Sequence, residues 1–293
     1  MFAGAHTALV TPFSELGTVD TEAFRKLIDK QFDNGIKGVV PVGTTGESAT
    51  LSTEEHRRVV ELTVKQAAGR GLVIAGTGSN CTREAIDLTQ AAELAGADAA
   101  LLVTPYYNKP SQEGLFQHYR AIAESTELPI ILYSIPGRCH IEIEVETVVR
   151  LAADRPNIRA IKEAGGDVER VRQLRAALPE EFEILSGDDA LTVEFMKEGG
   201  VGVISVASNL IPKAMADLTS AMLEGRIGDA EEIHGKYEAL FSAFLKLDTN
   251  PVPIKAALGL TGECDPRLRL PMVQMSDEKV AELKGTLESL GIL

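Results

Sequence analysis

Short apolar runs recur along the chain at intervals of about 30 residues, the length of a strand-plus-helix unit. They fall at 8–10, 38–42, 72–75, 99–103, 129–133, 158–162, 182–185 and 201–205. Most are continuously apolar instead of alternating, the pattern of strands in a parallel sheet covered on both faces. Between them the hydrophobic period becomes helical. Ser52-Thr53-Glu54-Glu55 has the form of a capping box, and Val59, Val60, Val64 and Ala67 follow as an apolar stripe. Further helices are predicted over 82–94, closed by Gly96, over 112–124, and from Gly187-Asp188-Asp189 to Gly199-Gly200. Eight strand–helix repeats without a long break predict an α/β fold, a closed (β/α)8 TIM barrel, with an open doubly wound sheet as the alternative. After residue 209 the strand pattern stops, and helices are predicted over 212–223, 229–247 and 277–293. Asn250-Pro251-Val252-Pro253 and the turn-rich stretch 261–271 separate them. The expected organisation is a barrel over 1–224 and a C-terminal helical extension over 225–293, packed on the barrel or on a neighbouring chain.

Composition narrows the partners. The 293 residues suit one barrel of ~250 residues with an extension, and 44% hydrophobic with 25% charged residues is globular. Lys plus Arg is 29 against 43 Asp plus Glu, a net charge of −14. Such a chain is repelled by a duplex or an anionic membrane surface, so neither nucleic acid nor membrane is an expected partner. No apolar run reaches the ~18 residues of a membrane span, and no basic segment followed by an apolar one reads as a secretory leader. The expected location is cytoplasmic. Cys81, Cys139 and Cys264 form no CxxC pair, and His6, His56, His118, His140 and His234 have no HxH or HExxH spacing, so no disulfide framework, metal or cofactor is expected. No GxxxxGK[ST] or GxGxxG pattern supports nucleotide binding.

Barrel active sites lie at the C-terminal ends of the strands, so the polar residues after each run matter most. Gly43-Thr44-Thr45-Gly46-Glu47 follows the second run. Its glycines let the backbone turn and approach an anion, and its hydroxyls add donors; an ordinary strand–helix turn is the plainer reading. Tyr133 and then Ser134-Ile135-Pro136-Gly137-Arg138 close the fifth run, and Lys162-Glu163 closes the sixth. Alternation puts Ile158, Ala160 and Lys162 on one strand face, and Ile131 and Tyr133 likewise on one face of theirs. If that face is the barrel interior, desolvation lowers the lysine pKa and creates a nucleophilic amine. A neighbouring tyrosine could then move protons, and an arginine could hold a carboxylate. Two plainer readings stand beside this one: Lys162 snorkelling to solvent or paired with Glu163, and Tyr133 as core.

Taken together, Gly43 to Leu51, Thr104-Pro105-Tyr106-Tyr107-Asn108, Tyr133 to Arg138, Ile161-Lys162-Glu163-Ala164, Leu185 to Asp189, Gly202 to Val206, Asn250 to Lys255 and Leu270-Pro271-Met272 resemble the dihydrodipicolinate synthase and N-acetylneuraminate lyase superfamily of class I aldolases. The likeness covers essentially the whole chain and is nearer to the synthase arm. It implies a lyase that condenses pyruvate with L-aspartate 4-semialdehyde through a Schiff base, in the diaminopimelate route to lysine. By that resemblance Lys162 forms the imine, and Thr44 and Thr45 hold the pyruvate carboxylate. Tyr133, Thr45 and Tyr107 relay protons, with Tyr107 supplied by a neighbouring subunit of a homotetramer built as a dimer of dimers. Arg138 grips the semialdehyde carboxylate, and Gly187 and Ile204 line the site through backbone carbonyls. Arg138 suits a small anionic substrate better than a sialic acid. The chain departs from the family pattern at Cys139-His140, on the rim beside it.

The resemblance also implies an effector site for lysine, made of Ser48, Ala49, His56, Asn80, Glu84 and Tyr106. Thr53 stands where many inhibited members carry His. Two alternatives remain at this stage: another pyruvate-dependent aldolase acting on a sugar acid or hydroxy-oxo acid, and a non-catalytic barrel. The second predicts loss of the lysine, tyrosine or threonine set, yet every member is present.

Overall fold

A computed structural model describes all 293 residues. Eight strands pair in parallel in chain order: β1 (Gly4–Ala8), β2 (Gly38–Val40), β3 (Leu72–Gly76), β4 (Ala99–Val103), β5 (Ile130–Ser134), β6 (Ile158–Glu163), β7 (Glu183–Ser186) and β8 (Gly202–Ser205). β8 pairs back onto β1, so the sheet closes into a barrel and the open-sheet alternative is excluded. Around and after it run α1 (Thr21–Asp33), α2 (Thr53–Ala67), α3 (Thr82–Ala95), α4 (Gln112–Ala123), α5 (Pro136–Cys139), α6 (Val145–Asp154), α7 (Val168–Ala177), α8 (Thr192–Lys197), α9 (Pro212–Leu223), α10 (Ile227–Lys246), α11 (Val252–Leu260) and α12 (Asp277–Ser289). No helix is long and apolar enough to cross a membrane.

Local chemistry sets the boundaries. Ser52 accepts from the backbone of Glu55 and the Glu55 side chain reaches back, completing the capping box that starts α2. Asp20 and Ser111 cap α1 and α4, and Gly96, at φ +87°, ends α3 in the left-handed conformation. Two elements differ from the sequence expectation. β1 lies at 4–8, not 8–10, because two polar residues are buried there with partners: His6 Nε2 meets the Phe2 carbonyl at 2.8 Å, and Thr7 donates to Gln31 at 2.7 Å. α11 occupies part of a stretch read as a separator. Its Pro253 stands in the first turn, where a missing N–H costs no helical bond.

The strands divide the core into two shells. Inside the barrel, Ala8, Val40, Ile74, Leu101, Ile131, Ala160, Leu185 and Ile204 form one apolar cluster with Tyr133. Outside it, the alternate residues pack beneath the helices, as Leu102, Leu132, Ile161 and Ile184 do with Tyr119, Leu151 and Leu174. Each large apolar side chain so buried contributes ~1.5–3 kcal/mol before ordering costs. A further cluster joins Ala5, Val10, Val203 and Met215 to Phe241, Phe244, Ile254, Leu258, Leu283 and Leu287. α10, α11 and α12 therefore share apolar core with the barrel.

Candidate active site

A cavity of about 180 Å³ opens at the C-terminal ends of the strands. Lys162 reaches it from β6, Tyr133 from β5, Thr44 and Thr45 from the turn after β2, Arg138 from α5, and Gly187 from the turn after β7. Lys162 is opposite Tyr133 in the β5–β6 register, and its Nζ stands 4.3 Å from the centre of the phenol ring. It is 5% exposed and does not pair with Glu163. That carboxylate points to the outer shell and binds Arg170 at 2.7 Å, as strand alternation requires. Both plainer readings of Lys162 are thereby excluded.

Burial sets the electrostatics. Lys162 is pushed down to about 8 by desolvation, which the Asp189 carboxylate opposes and Arg138 reinforces. Tyr133 is pushed up to about 12 by burial, against the pull of Arg138 and of a hydrogen bond with Thr44. The amine thus gives up its proton far more readily than an ordinary lysine, while the phenol stays protonated and able to donate. Gly187 leaves the space that the lysine fills: a Cβ there would lie 3.0 Å from Lys162 Cε and 2.6 Å from the Ala164 Cβ.

The two threonines have different neighbours. Thr44 is the hydroxyl close enough to Tyr133 to draw its pKa down. Thr45 accepts from Asn250 Nδ2 at 3.1 Å, so its hydroxyl is directed towards the C-terminal extension. Asn250 also takes Arg138, whose Nη2 donates to its carbonyl at 2.7 Å. Ile204 is fully buried in the apolar layer and is not part of the cavity wall. Tyr107 lies outside its own chain's cavity, 91% exposed and at φ +73°.

Sequence reasoning missed several wall residues. Asn250, Phe241, Phe244 and Leu245 come from the extension; Asn250 lay within a quoted motif but without a role, and no local pattern announces the other three. Asp188 and Asp189 sat within a quoted motif without a role. Asp189 accepts from the Ala207 and Val206 amides at 2.8 and 3.1 Å, and burial pushes its carboxyl up to about 6 against hydrogen bonds from Ser205 and Ala207. No cluster of three or more His, Cys, Asp or Glu side chains is arranged to hold a metal ion.

A second cavity, of about 530 Å³, adjoins the first and shares Thr44, Arg138 and Asn250 with it. Ser48, Ala49, Thr53, His56, Glu84 and Tyr106 line it, and Cys139 forms part of its wall. Asn80 is not in that wall; its carbonyl accepts from Asn108 at 2.8 Å. Burial lowers the His56 pKa, and its Nε2 donates to the Gly76 carbonyl at 2.8 Å. Glu84 accepts from Ser79. Burial raises the Cys139 thiol to about 11, which leaves it protonated and inert, while His140 is exposed.

The sequence of residues 1–290 matches the model of the dihydrodipicolinate synthetase family. The chain belongs to this family. It is 51% identical to the 4-hydroxy-tetrahydrodipicolinate synthase of Methylacidiphilum fumariolicum SolV, whose structure superposes with a TM-score of 0.97 over 99% of this chain and 96% of that one. The chloride-inhibited dihydrodipicolinate synthase of Acinetobacter baumannii, solved with pyruvate, is 44% identical with a TM-score of 0.97 over all of both chains. The enzyme of Cyanidioschyzon merolae, solved with lysine bound, is 40% identical with a TM-score of 0.96, covering 100% of this chain and 99% of that one.

Proposed function

We propose that this family member condenses pyruvate with L-aspartate 4-semialdehyde to 4-hydroxy-tetrahydrodipicolinate, on the diaminopimelate route to lysine. The observation that carries the reading is Lys162: a buried amine, lowered to about 8, facing a cavity walled by Tyr133, Thr44, Thr45 and Arg138. Its neutral form attacks the pyruvate ketone, and loss of water gives a protonated imine. The imine draws electrons from the methyl group, which loses a proton to become an enamine. The enamine carbon attacks the aldehyde, whose oxygen takes up a proton. The substrate's own amino group then adds to the imine carbon, closes the ring and releases Lys162. No external electron acceptor or metal is needed for this balance.

Thr44 and Thr45 are assigned to the pyruvate carboxylate, and Arg138 to that of the semialdehyde, at the cavity mouth. Tyr133 with Thr44 carries the protons, in place of the Tyr133–Thr45 pair expected from the sequence. Tyr107 completes the relay from a neighbouring subunit. Its exposure and its place outside its own cavity support that assignment, and with it a homotetramer built as a dimer of dimers. The Gly187 carbonyl remains a candidate contact. Lysine is the proposed effector of the second cavity, where Glu84 supplies the carboxylate for its amino group; Ser48, Ala49, His56 and Tyr106 form the rest of the wall. The lysine-bound relative from Cyanidioschyzon merolae supports this. The barrel over 1–224 carries the Schiff base, and the unit over 225–293 covers the mouth of the site.

Borohydride reduction in the presence of pyruvate, followed by mass spectrometry of peptides, tests the chemistry. A reduced adduct on the Lys162 peptide is expected. An unmodified Lys162 at saturating pyruvate overturns the assignment. Turnover with aspartate semialdehyde, compared with a panel of sugar-acid and hydroxy-oxo-acid aldehydes, then fixes the second substrate.

A further inference from the structure

We propose that Lys255 is a positioning residue for this reaction: acting through Glu47, it fixes the turn that carries Thr44 and Thr45. The inference rests on the function proposed above and assigns a role to a buried ion pair that the chemistry itself does not use. Glu47 lies two residues beyond Thr45, with its backbone in the left-handed region at φ +53°, a conformation that costs a non-glycine residue free energy and persists only where its surroundings impose it. Its amide donates to the Thr44 carbonyl at 3.1 Å, closing the turn. Its carboxylate is held from two directions. Lys255 Nζ lies 2.5 Å from Oε1, with the two side chains 0% and 2% exposed, and the Arg269 amide donates to Oε2 at 3.0 Å.

Lys255 is itself fixed. Its Nζ donates to the Arg267 carbonyl at 2.9 Å and stands 4.2 Å from the centre of the Phe13 ring. Neither Glu47 nor Lys255 lines the first cavity. Both anchors belong to the segment 250–269, the one that also sends Asn250 to Thr45. A buried ion pair is weak evidence for stability, since an apolar pair of the same shape often serves as well or better. What it does supply is a defined geometry. A carboxylate gripped at both oxygens holds the strained residue of the turn, and the turn holds two hydroxyls against substrate and Tyr133. Positioning errors of about 1 Å are enough to cost a reaction up to ~10²-fold.

The test uses full-length enzyme carrying Glu47→Gln, Lys255→Met, both together, and Glu47→Asp. Thermal unfolding, kcat and the KM for pyruvate are measured on each, with borohydride trapping on the wild type. The single charge deletions are expected to lower Tm, because each strands a buried charge, and the double variant to recover it. The KM for pyruvate is expected to stay raised, roughly tenfold or more, in the double variant. Glu47→Asp keeps the charge and withdraws it by one methylene; its KM should rise several-fold with Tm close to wild type. A double variant that regains both Tm and KM, or a Glu47→Asp variant with wild-type KM, overturns the proposal. Absence of a wild-type pyruvate adduct would instead refute the underlying Schiff-base reading.

Discussion

Replacing Lys162 by methionine should abolish adduct formation and at the same time stabilise the free protein. Folding takes this amine from water into the barrel interior, and its pKa falls from 10.5 to about 8. At ~1.4 kcal/mol per pH unit, the buried charged form is disfavoured by about 3 kcal/mol relative to the neutral one. Methionine follows the lysine chain as far as Cε, one atom short of the amine, and carries no charge. Against that gain stands the loss of the ammonium over the Tyr133 ring at 4.3 Å, worth about 1 kcal/mol. The net stabilisation at pH 7 is about 2 kcal/mol, a rise in Tm of roughly 4 °C for a chain of this size. The sign of its pH dependence follows from linkage. Between about 8 and 10.5 the unfolded state holds the proton that the folded state has released, so wild-type stability rises through that window. The advantage of Lys162→Met is therefore full below pH 8 and disappears towards 10.5. Thermal unfolding of both proteins without pyruvate, at one protomer concentration and at pH 7 and 10, measures it. A variant less stable than wild type at pH 7, or a gap that does not change with pH, would refute the desolvated amine.

Gly187→Ala should slow pyruvate adduct formation ~10²-fold by displacing Lys162 and cost ~1–3 kcal/mol of stability, whereas Gly137→Ala, with nothing within 4 Å of its added Cβ, should leave folding unchanged. Equal unfolding midpoints for the two variants would contradict the packing account. The initial rate of adduct formation should climb with pH through about 8 and level off above it, as the neutral amine accumulates; a flat profile across that window would show that deprotonation of Lys162 does not limit attack. Glu84→Gln should abolish inhibition by lysine while adduct formation with pyruvate persists, checked by titrating lysine into both proteins; undiminished inhibition would remove Glu84 from the effector site.

The parts of this molecule that were legible in its sequence are those governed by strand alternation. β2 to β8 show as apolar runs because both of their faces are covered. The Tyr133–Lys162 neighbourhood follows from the same rule, since each residue ends a strand on its inward face and the two strands are adjacent. β1 is masked because His6 and Thr7 find buried partners that a hydropathy pattern does not record. Which threonine meets the phenol is not decided by any period: Thr44 and Thr45 are consecutive in an irregular turn, and Asn250, 205 residues away, engages one of them.

Four of the wall residues without a role in the sequence reading, Phe241, Phe244, Leu245 and Asn250, come from the segment after 225, which reads as a helical appendage because its hydrophobic period is self-contained. Its polar residues are nonetheless spent on the barrel: Asn250 on Thr45 and Arg138, Lys255 and Arg269 on Glu47, and Arg269 again on Glu55 at the start of α2. Apolar packing alone would let such an appendage settle in several nearby registers, because contacts between aliphatic side chains are not directional. Charged and amide groups buried at the junction remove that freedom, since a shift of one hydrogen-bond length leaves a carboxylate or an ammonium without a partner in a medium that cannot solvate it. The change of pattern near residue 225 does not bound the cavity, whose wall draws on residues from both sides of it. A barrel truncated at 224 would keep Lys162 and Tyr133 and lose the groups that hold their partner threonines in place.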